Sequence, residues 1–136
     1  MRYPIIDTEV VLKDFNVNKG VLVPYISTAA FQCTMNALGQ ADCVVIQPVM
    51  KVEVQTSKDY SHDVYGDLNR RNATNLRVEE SDNVVSLSAD VPLSKLASYS
   101  SDIRRITSGN TTFSIEFSSY EPVSEREYQE LIEKRV

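Results

Sequence analysis

Several stretches in the second part of the chain alternate apolar and polar residues with a period of two. Such alternation is typical of strands that bury one face. The pattern predicts four strands, with turn-forming residues at Ser81, Asp82 and Asn83 between the second and the third. Their apolar positions are Met50, Val52 and Val54, then Leu76 and Val78, then Val85, Leu87, Ala89 and Val91, and finally Phe113, Ile115 and Phe117.

Two helices are predicted between these strands. The first is expected to start around Thr56 and Asp59, which have the spacing of a capping box, and to end near Arg71. The second is expected to start at Pro92, since proline suits a first helical turn, and to end before Gly109. Helical spacing relates Tyr60, Val64 and Leu68 in the first, and Leu93, Leu96, Ala97, Ser100, Ile103 and Ile106 in the second.

The resulting order, β-α-β-β-α-β, predicts an α+β fold of the ferredoxin-like type over residues 44–123, with two helices covering one face of the sheet. Residues 124–136 form a separate C-terminal segment, with a charged helix expected from Ser124 to Arg135. Residues 1–43 offer a strand-like stretch at 5–15, a loop at 14–24 and a helix at 25–41. A lone strand needs a sheet to pair with, so this part is predicted to be an incomplete piece of a second domain.

Charge and motifs exclude several classes of function. The net charge of −5 makes a general affinity for nucleic acid unexpected, so any RNA contact has to be local. No apolar run approaches the roughly 20 residues of a membrane span, and no membrane partner is expected. The glycines form no phosphate-binding loop, and residues 18–21 begin like the guanine-reading N-K-x-D motif but end in Val21. We therefore predict that the chain is not an enzyme and that it binds no cofactor.

Metal chemistry is not favoured either. His62, the only histidine, is accompanied by Asp59 and Asp63, but a single helical turn does not complete a metal or acid–base site. Cys33 and Cys43 lack the C-x-x-C spacing of a metal or redox pair. We interpret His62 as a solvated surface residue and predict no metal site.

The polar face of the predicted sheet argues against one common RNA-binding mode. RNA-recognition modules stack bases on aromatic side chains of an open sheet face. Here that face is predicted to hold Lys51, Glu53, Gln55, Ser86, Ser88, Asp90, Ser114, Glu116 and Ser118. It carries acids and no aromatic residue, so base stacking is not expected.

Arginine pairs lie at the predicted helix ends instead. Arg70 and Arg71 close the first helix, and Arg104 and Arg105 lie in the last turns of the second. Two readings stay open at this point. The arginines can complement the helix dipoles and aid solubility, or they can contact the phosphates of structured RNA.

Four stretches resemble the last domain of elongation factor G, across residues 44–123. They are VIQPVMKVEV, DVYGDLNRR, ADVPLSKLASYSSDIRRITSG and TTFSIEFSSYEPV. Residues 3–43, with YPIIDTEVVLKDF and STAAFQCTMNALGQA, look like the end of the preceding domain. The loop at 14–24 lacks the histidine common in translocating members, and a basic residue usual after Thr107 is lost in residues 108–111. Both departures look more like the mitochondrial branch that is specialised in ribosome recycling.

The resemblance implies a ribosome-binding, non-catalytic module of a translational GTPase in the mitochondrial matrix, or otherwise the cytoplasm. The partners it implies are the ribosome, the large-subunit rRNA and stalk base, and also ribosome recycling factor. It suggests Arg70, Arg71, Arg104 and Arg105 as the RNA-contacting residues, with GTP and magnesium bound only by the full-length parent. The alternative is a ferredoxin-like regulatory or protein-interaction domain that does not bind RNA.

Overall fold

A computed structural model describes residues 4–133 of the chain. They fall into two compact units that divide between Cys43 and Val44. Within the described range, no helix combines the length and apolar character required to cross a membrane.

The described part of the first unit contains one helix, α1 (Val23–Gln40), close to the helix predicted at 25–41. None of its residues is fully buried. The strand expected at 5–15 is wrong, because residues 4–22 contain no helix and no strand. The apolar residues there favour an extended chain, but a strand also needs backbone partners, and none pairs with this segment in the described structure.

The second unit is built on a four-stranded antiparallel sheet. Its strands are β1 (Ile46–Ser57), β2 (Thr74–Ser81), β3 (Val84–Pro92) and β4 (Thr111–Pro122), in the spatial order β2-β3-β1-β4. Two helices connect them, α2 (Lys58–Arg70) and α3 (Tyr99–Ile106). This arrangement confirms the predicted α+β class and the ferredoxin-like order of elements.

Both helix starts differ from the predictions. Thr56 is not a cap: it is buried on β1 and donates from its hydroxyl to the carbonyl oxygen of Asn110 at 3.2 Å, while Ser57 takes the N-cap position of α2. The helix expected from Pro92 is interrupted. A 3₁₀ turn forms at Leu93–Lys95, and α3 begins only after Ser98, whose φ of 62° is left-handed and breaks any continuous helix.

The core lies between the sheet and the two helices. Strand alternation supplies most of it, because residues two apart on a strand point to the same face. Tyr99 is buried there, whereas Ser100, which the helical spacing had favoured, is exposed. The buried cluster comprises Val52, Val54, Val64, Leu68, Val85, Leu87, Ala89, Val91, Tyr99 and Ile103.

The other face of the sheet is polar, as predicted. Lys51 pairs with Asp90 on β3 and with Glu116 on β4, and Glu53 pairs with Ser88 and Ser114. Paired residues of antiparallel strands share a face, so these side chains form one polar surface. Ser118 departs from this pattern because β1 and β4 shift register between Val49 and Met50, which leaves Ser118 without a partner on β1.

A fourth helix, α4 (Glu125–Glu133), follows β4, and the part of the predicted helix at 134–135 lies outside the described residues. Ser124 and Glu127 form a reciprocal capping box at its start. Glu127 also accepts hydrogen bonds from Gln47 and Asn72, each at 3.3 Å. Burial raises the pKa of Glu127, but the bonds from Ser124, Asn72 and Gln47 outweigh it and lower the pKa below its usual range.

We expect the backbone amides of residues 5–15 to exchange with solvent much faster than those of residues 84–91. The former make no strand pairs, whereas β3 is a central strand whose amides are shielded on both sides. Hydrogen exchange followed by mass spectrometry measures the difference directly. Equal, strong protection of the two segments would contradict this assignment, and repeating the experiment over a range of concentrations tests whether association supplies the protection.

Candidate RNA-contact site at the end of α2

The sequence around Asn72 sets the position of Arg71 by ending α2 sharply. Asn72 has a φ of 59°, a left-handed conformation that asparagine tolerates better than most residues. This allows the Ala73 amide to donate to the Leu68 carbonyl and the Asn72 amide to the Asn69 carbonyl, at 3.2 and 3.1 Å. The two bonds form a Schellman motif. Arg71 is the C-cap residue of this motif.

The guanidinium of Arg71 forms its hydrogen bonds with other groups of the protein. Its Nε donates to Asp67 Oδ2, its Nη1 to the Lys95 carbonyl oxygen and its Nη2 to Asp102 Oδ2, each at 2.8 Å. Its carbon Cζ lies 4.9 Å from the centre of the Tyr99 ring, within the range of a cation–π contact. Only 13% of the side chain is exposed. One group therefore joins α2, the 3₁₀ turn and α3.

Asp102, in the first turn of α3, connects this group to a second arginine. Its Oδ2 accepts from Arg71 and from the Ser98 hydroxyl, the latter at 2.9 Å. Its Oδ1 accepts from Arg105 Nη2 at 2.8 Å. Asp67 is arranged in a similar way: its Oδ2 binds Arg71, and its Oδ1 lies 3.7 Å from Arg70 Nη2. We call Asp67, Arg70, Arg71, Asp102 and Arg105 the arginine cluster.

Three of the four predicted arginines thus lie in one ion-pair cluster. Arg70 and Arg105 are on its outer side, with 74% and 79% of their side chains exposed. Arg104 is also exposed, in the last turn of α3, and no ion pair joins it to the cluster within residues 4–133. Arg71 differs from the other three because its donors are already occupied by the protein.

Sequence reasoning missed the two aspartates and Tyr99. The signal was present for the aspartates, since Asp67 precedes Arg71 by four residues and Asp102 precedes Arg105 by three. Both spacings bring side chains together on a helix. Nothing local identifies the contact between Arg71 and Asp102, because it crosses from one helix to another.

The pKa values of Arg71 and Asp102 are both shifted by their mutual contact and their neighbours. Burial lowers the pKa of Arg71, but hydrogen bonds to Asp67 and Asp102 more than compensate, so its pKa is raised above the ordinary value. Hydrogen bonds from Arg71 and Ser98, and the nearby charge of Arg105, hold the pKa of Asp102 below its usual range. Both shifts favour the charged forms of Arg71 and Asp102.

The remaining candidates gain no support from the geometry. His62, Asp59 and Asp63 are all exposed on α2. In the described part of the chain, no three His, Cys, Asp or Glu residues are close enough to hold a metal ion.

Comparison with known proteins shows what the chain is similar to. The family described as "Elongation factor G C-terminus" matches residues 44–131. The mitochondrial ribosome-releasing factor 2 of Danio rerio is 33% identical over 97% of the chain and 17% of its own length. Elongation factor G of Aquifex pyrophilus is also 33% identical, over 98% of the chain and 19% of its own length. The chain thus spans less than a fifth of the length of these relatives.

A solved structure supports the fold. A protein from Thermus thermophilus superimposes with a TM-score of 0.62 at 26% identity, over 68% of this chain and 14% of that one.

Replacing Tyr99 by phenylalanine should leave the free energy of unfolding unchanged or raise it by about 1 kcal/mol. Among the residues described, none forms a hydrogen bond with the buried Tyr99 hydroxyl, and a buried unpaired hydroxyl is costly. The ring contacts to Phe113, at 5.6 Å between centroids, and to Arg71 are kept. Urea denaturation measures the change, with the more exposed Tyr65→Phe as the matched control. A loss above about 1 kcal/mol would reveal a hydrogen bond to this hydroxyl.

Replacing Asp102 by asparagine should lower the free energy of unfolding at neutral pH. It should also reduce the loss of that free energy as the pH falls below about 5. The pKa of Asp102 is lower in the folded state than the roughly 3.9 of an unfolded chain. Its stabilising contribution is therefore complete above about pH 5 and is lost as the pH falls through the folded-state pKa.

Urea denaturation of both proteins at a series of pH values checks this prediction. Asp63→Asn, which removes the same charge from an exposed position on α2, is the control. Identical pH profiles for wild type and Asp102→Asn would contradict the pairing of Asp102 with Arg71 and Arg105.

Proposed function

This chain belongs to the elongation factor G family, and we propose that its second unit is a non-catalytic, ribosome-binding module of a translational GTPase. The observation that carries the proposal is the arginine cluster, which places two exposed arginines from different helices around the same buried guanidinium.

The proposed contact is with large-subunit rRNA, through Arg70, Arg105 and the neighbouring Arg104. A guanidinium is planar and can donate two parallel hydrogen bonds to a phosphate, which makes arginine well suited to structured RNA. The overall charge of −5 does not oppose such a contact, because charges more than about 8–10 Å away are screened at physiological salt.

The proposed setting is ribosome recycling or translocation, in the mitochondrial matrix. The similarity to a relative named as a mitochondrial ribosome-releasing factor supports this setting, and the similarity to a bacterial elongation factor G supports the wider translational role. Within it, the proposed partners are the stalk base of the large subunit and ribosome recycling factor.

A protein-interaction domain without RNA binding is the second candidate. It is favoured by an exposed aromatic pair on the edge strand β4, Phe117 and Tyr120, which are 56% and 58% exposed with ring centroids 5.1 Å apart. Exposed aromatic residues are enriched at protein interfaces. The two candidates differ in salt dependence, since an aromatic contact releases no counterions.

Replacing both Arg70 and Arg105 by alanine should weaken binding to isolated large ribosomal subunits. Each lost phosphate contact lowers the slope of log affinity against log salt by about one, so the slope should fall by about two. The measurement is a binding titration at several salt concentrations, with circular dichroism to show that the fold is intact.

The matched control is Arg77→Ala with Arg126→Ala, which removes two exposed arginines from β2 and α4. Binding that is independent of salt, and equal in both double variants, would favour the protein-interaction candidate. Salt-dependent binding that falls equally in both variants would mean that the arginine cluster is not the contact.

A further inference from the structure

Each aspartate of the arginine cluster has one oxygen on the buried arginine and the other facing an exposed arginine. Asp102 binds Arg71 through Oδ2 and Arg105 through Oδ1, both at 2.8 Å. Asp67 binds Arg71 through Oδ2 at 2.8 Å, and its Oδ1 lies 3.7 Å from Arg70. Because the two oxygens of a carboxylate are rigidly joined, holding one of them restricts the positions that the other can take.

Arg71 is suited to fixing both carboxylates at once. It uses all three of its nitrogens, on Asp67, Asp102 and the Lys95 carbonyl, and its planar shape sets the angle between these bonds. The Tyr99 ring lies against it, and little of its surface is exposed. A lysine could not reproduce this arrangement, since its ammonium is a compact charge on a flexible stem.

The exposed arginines, in contrast, keep donors available. Within the described residues, Arg105 uses only Nη2, and the 3.7 Å separation of Arg70 from Asp67 is an ion pair without a hydrogen bond. Both side chains are largely exposed and keep donors free, so a phosphate can bind beside the carboxylate. Restricting the side chains beforehand also reduces the entropy lost on binding.

We propose that Arg71 is a positioning residue: it holds Asp67 and Asp102 so that Arg70 and Arg105 are prepared for RNA phosphates, and it does not contact RNA itself. This inference rests on the proposed function, in which Arg70 and Arg105 make the contact. It assigns different roles to two adjacent, chemically identical residues.

A double-mutant cycle tests the inference. Affinity for large ribosomal subunits is measured at low and moderate salt for the full chain, for Arg71→Lys, for Arg70→Ala with Arg105→Ala, and for all three changes together. Arg71→Lys keeps the charge but not the geometry. It should weaken binding by about threefold or more in the wild-type background and have no effect once Arg70 and Arg105 are gone, because neighbours that act through one another are not additive.

The other outcomes are also decisive. Equal weakening in both backgrounds would mean that Arg71 contacts RNA directly, and no weakening in either would mean that its geometry is irrelevant; each overturns the inference while leaving the proposed function intact. Absence of salt-dependent binding by the wild type, or full binding by the Arg70→Ala, Arg105→Ala protein, would remove the proposed function and the inference with it.

Asp102→Asn provides an independent measurement should Arg71→Lys fail to fold. If Asp102 only offsets positive charge, removing its charge raises the affinity for RNA. If it positions Arg105, affinity falls by about threefold or more despite the more positive protein. Asp59→Asn, an exposed charge removal at the other end of α2, is the control for the change in net charge. A rise in affinity for Asp102→Asn at least as large as that of the control would overturn the inference.

Discussion

The packing of α2, the 3₁₀ turn and α3 depends on the contacts of the Arg71 guanidinium. The guanidinium binds a side chain of α2, a backbone carbonyl of the 3₁₀ turn and a side chain of α3, and it contacts the Tyr99 ring. The helix α3 has only eight residues, too few to be stable as an isolated helix in water. Its stability comes from burying Tyr99 and Ile103 in the core and from this bond to α2.

The same interaction explains how an acidic protein can present a local basic surface. A buried charge needs partners, and the partners of Arg71 are the two aspartates. Of the two exposed arginines, Arg105 is hydrogen-bonded to Asp102 and Arg70 lies 3.7 Å from Asp67. The positive side chains are thus concentrated by a structural requirement of the fold. The cluster carries one net positive charge, although the chain as a whole has a net charge of −5.

Much of the fold could be predicted from the sequence because the signals are local. The alternation of β1, β3 and β4 identified the strands and the polar sheet face, since side chains two apart always share a face. The errors arose where a local signal competed with a longer-range one. Thr56 has the residue type of a cap but lies on the buried face of β1. Residues 5–15 have the composition of a strand but no pairing partner among the described residues.

The candidate site also combines features set by local sequence with features set by long-range packing. The sequence by itself determined that arginines end α2 and lie in the last turns of α3, and that Asp67 and Asp102 precede arginines at helical spacing. It did not distinguish Arg70 from Arg71, because adjacent identical residues at a helix end have the same local preferences. Only the packing of α3 against α2 decided that Arg71 is enclosed and Arg70 is exposed, since that packing brings Asp102 and Tyr99 to one side of the helix end.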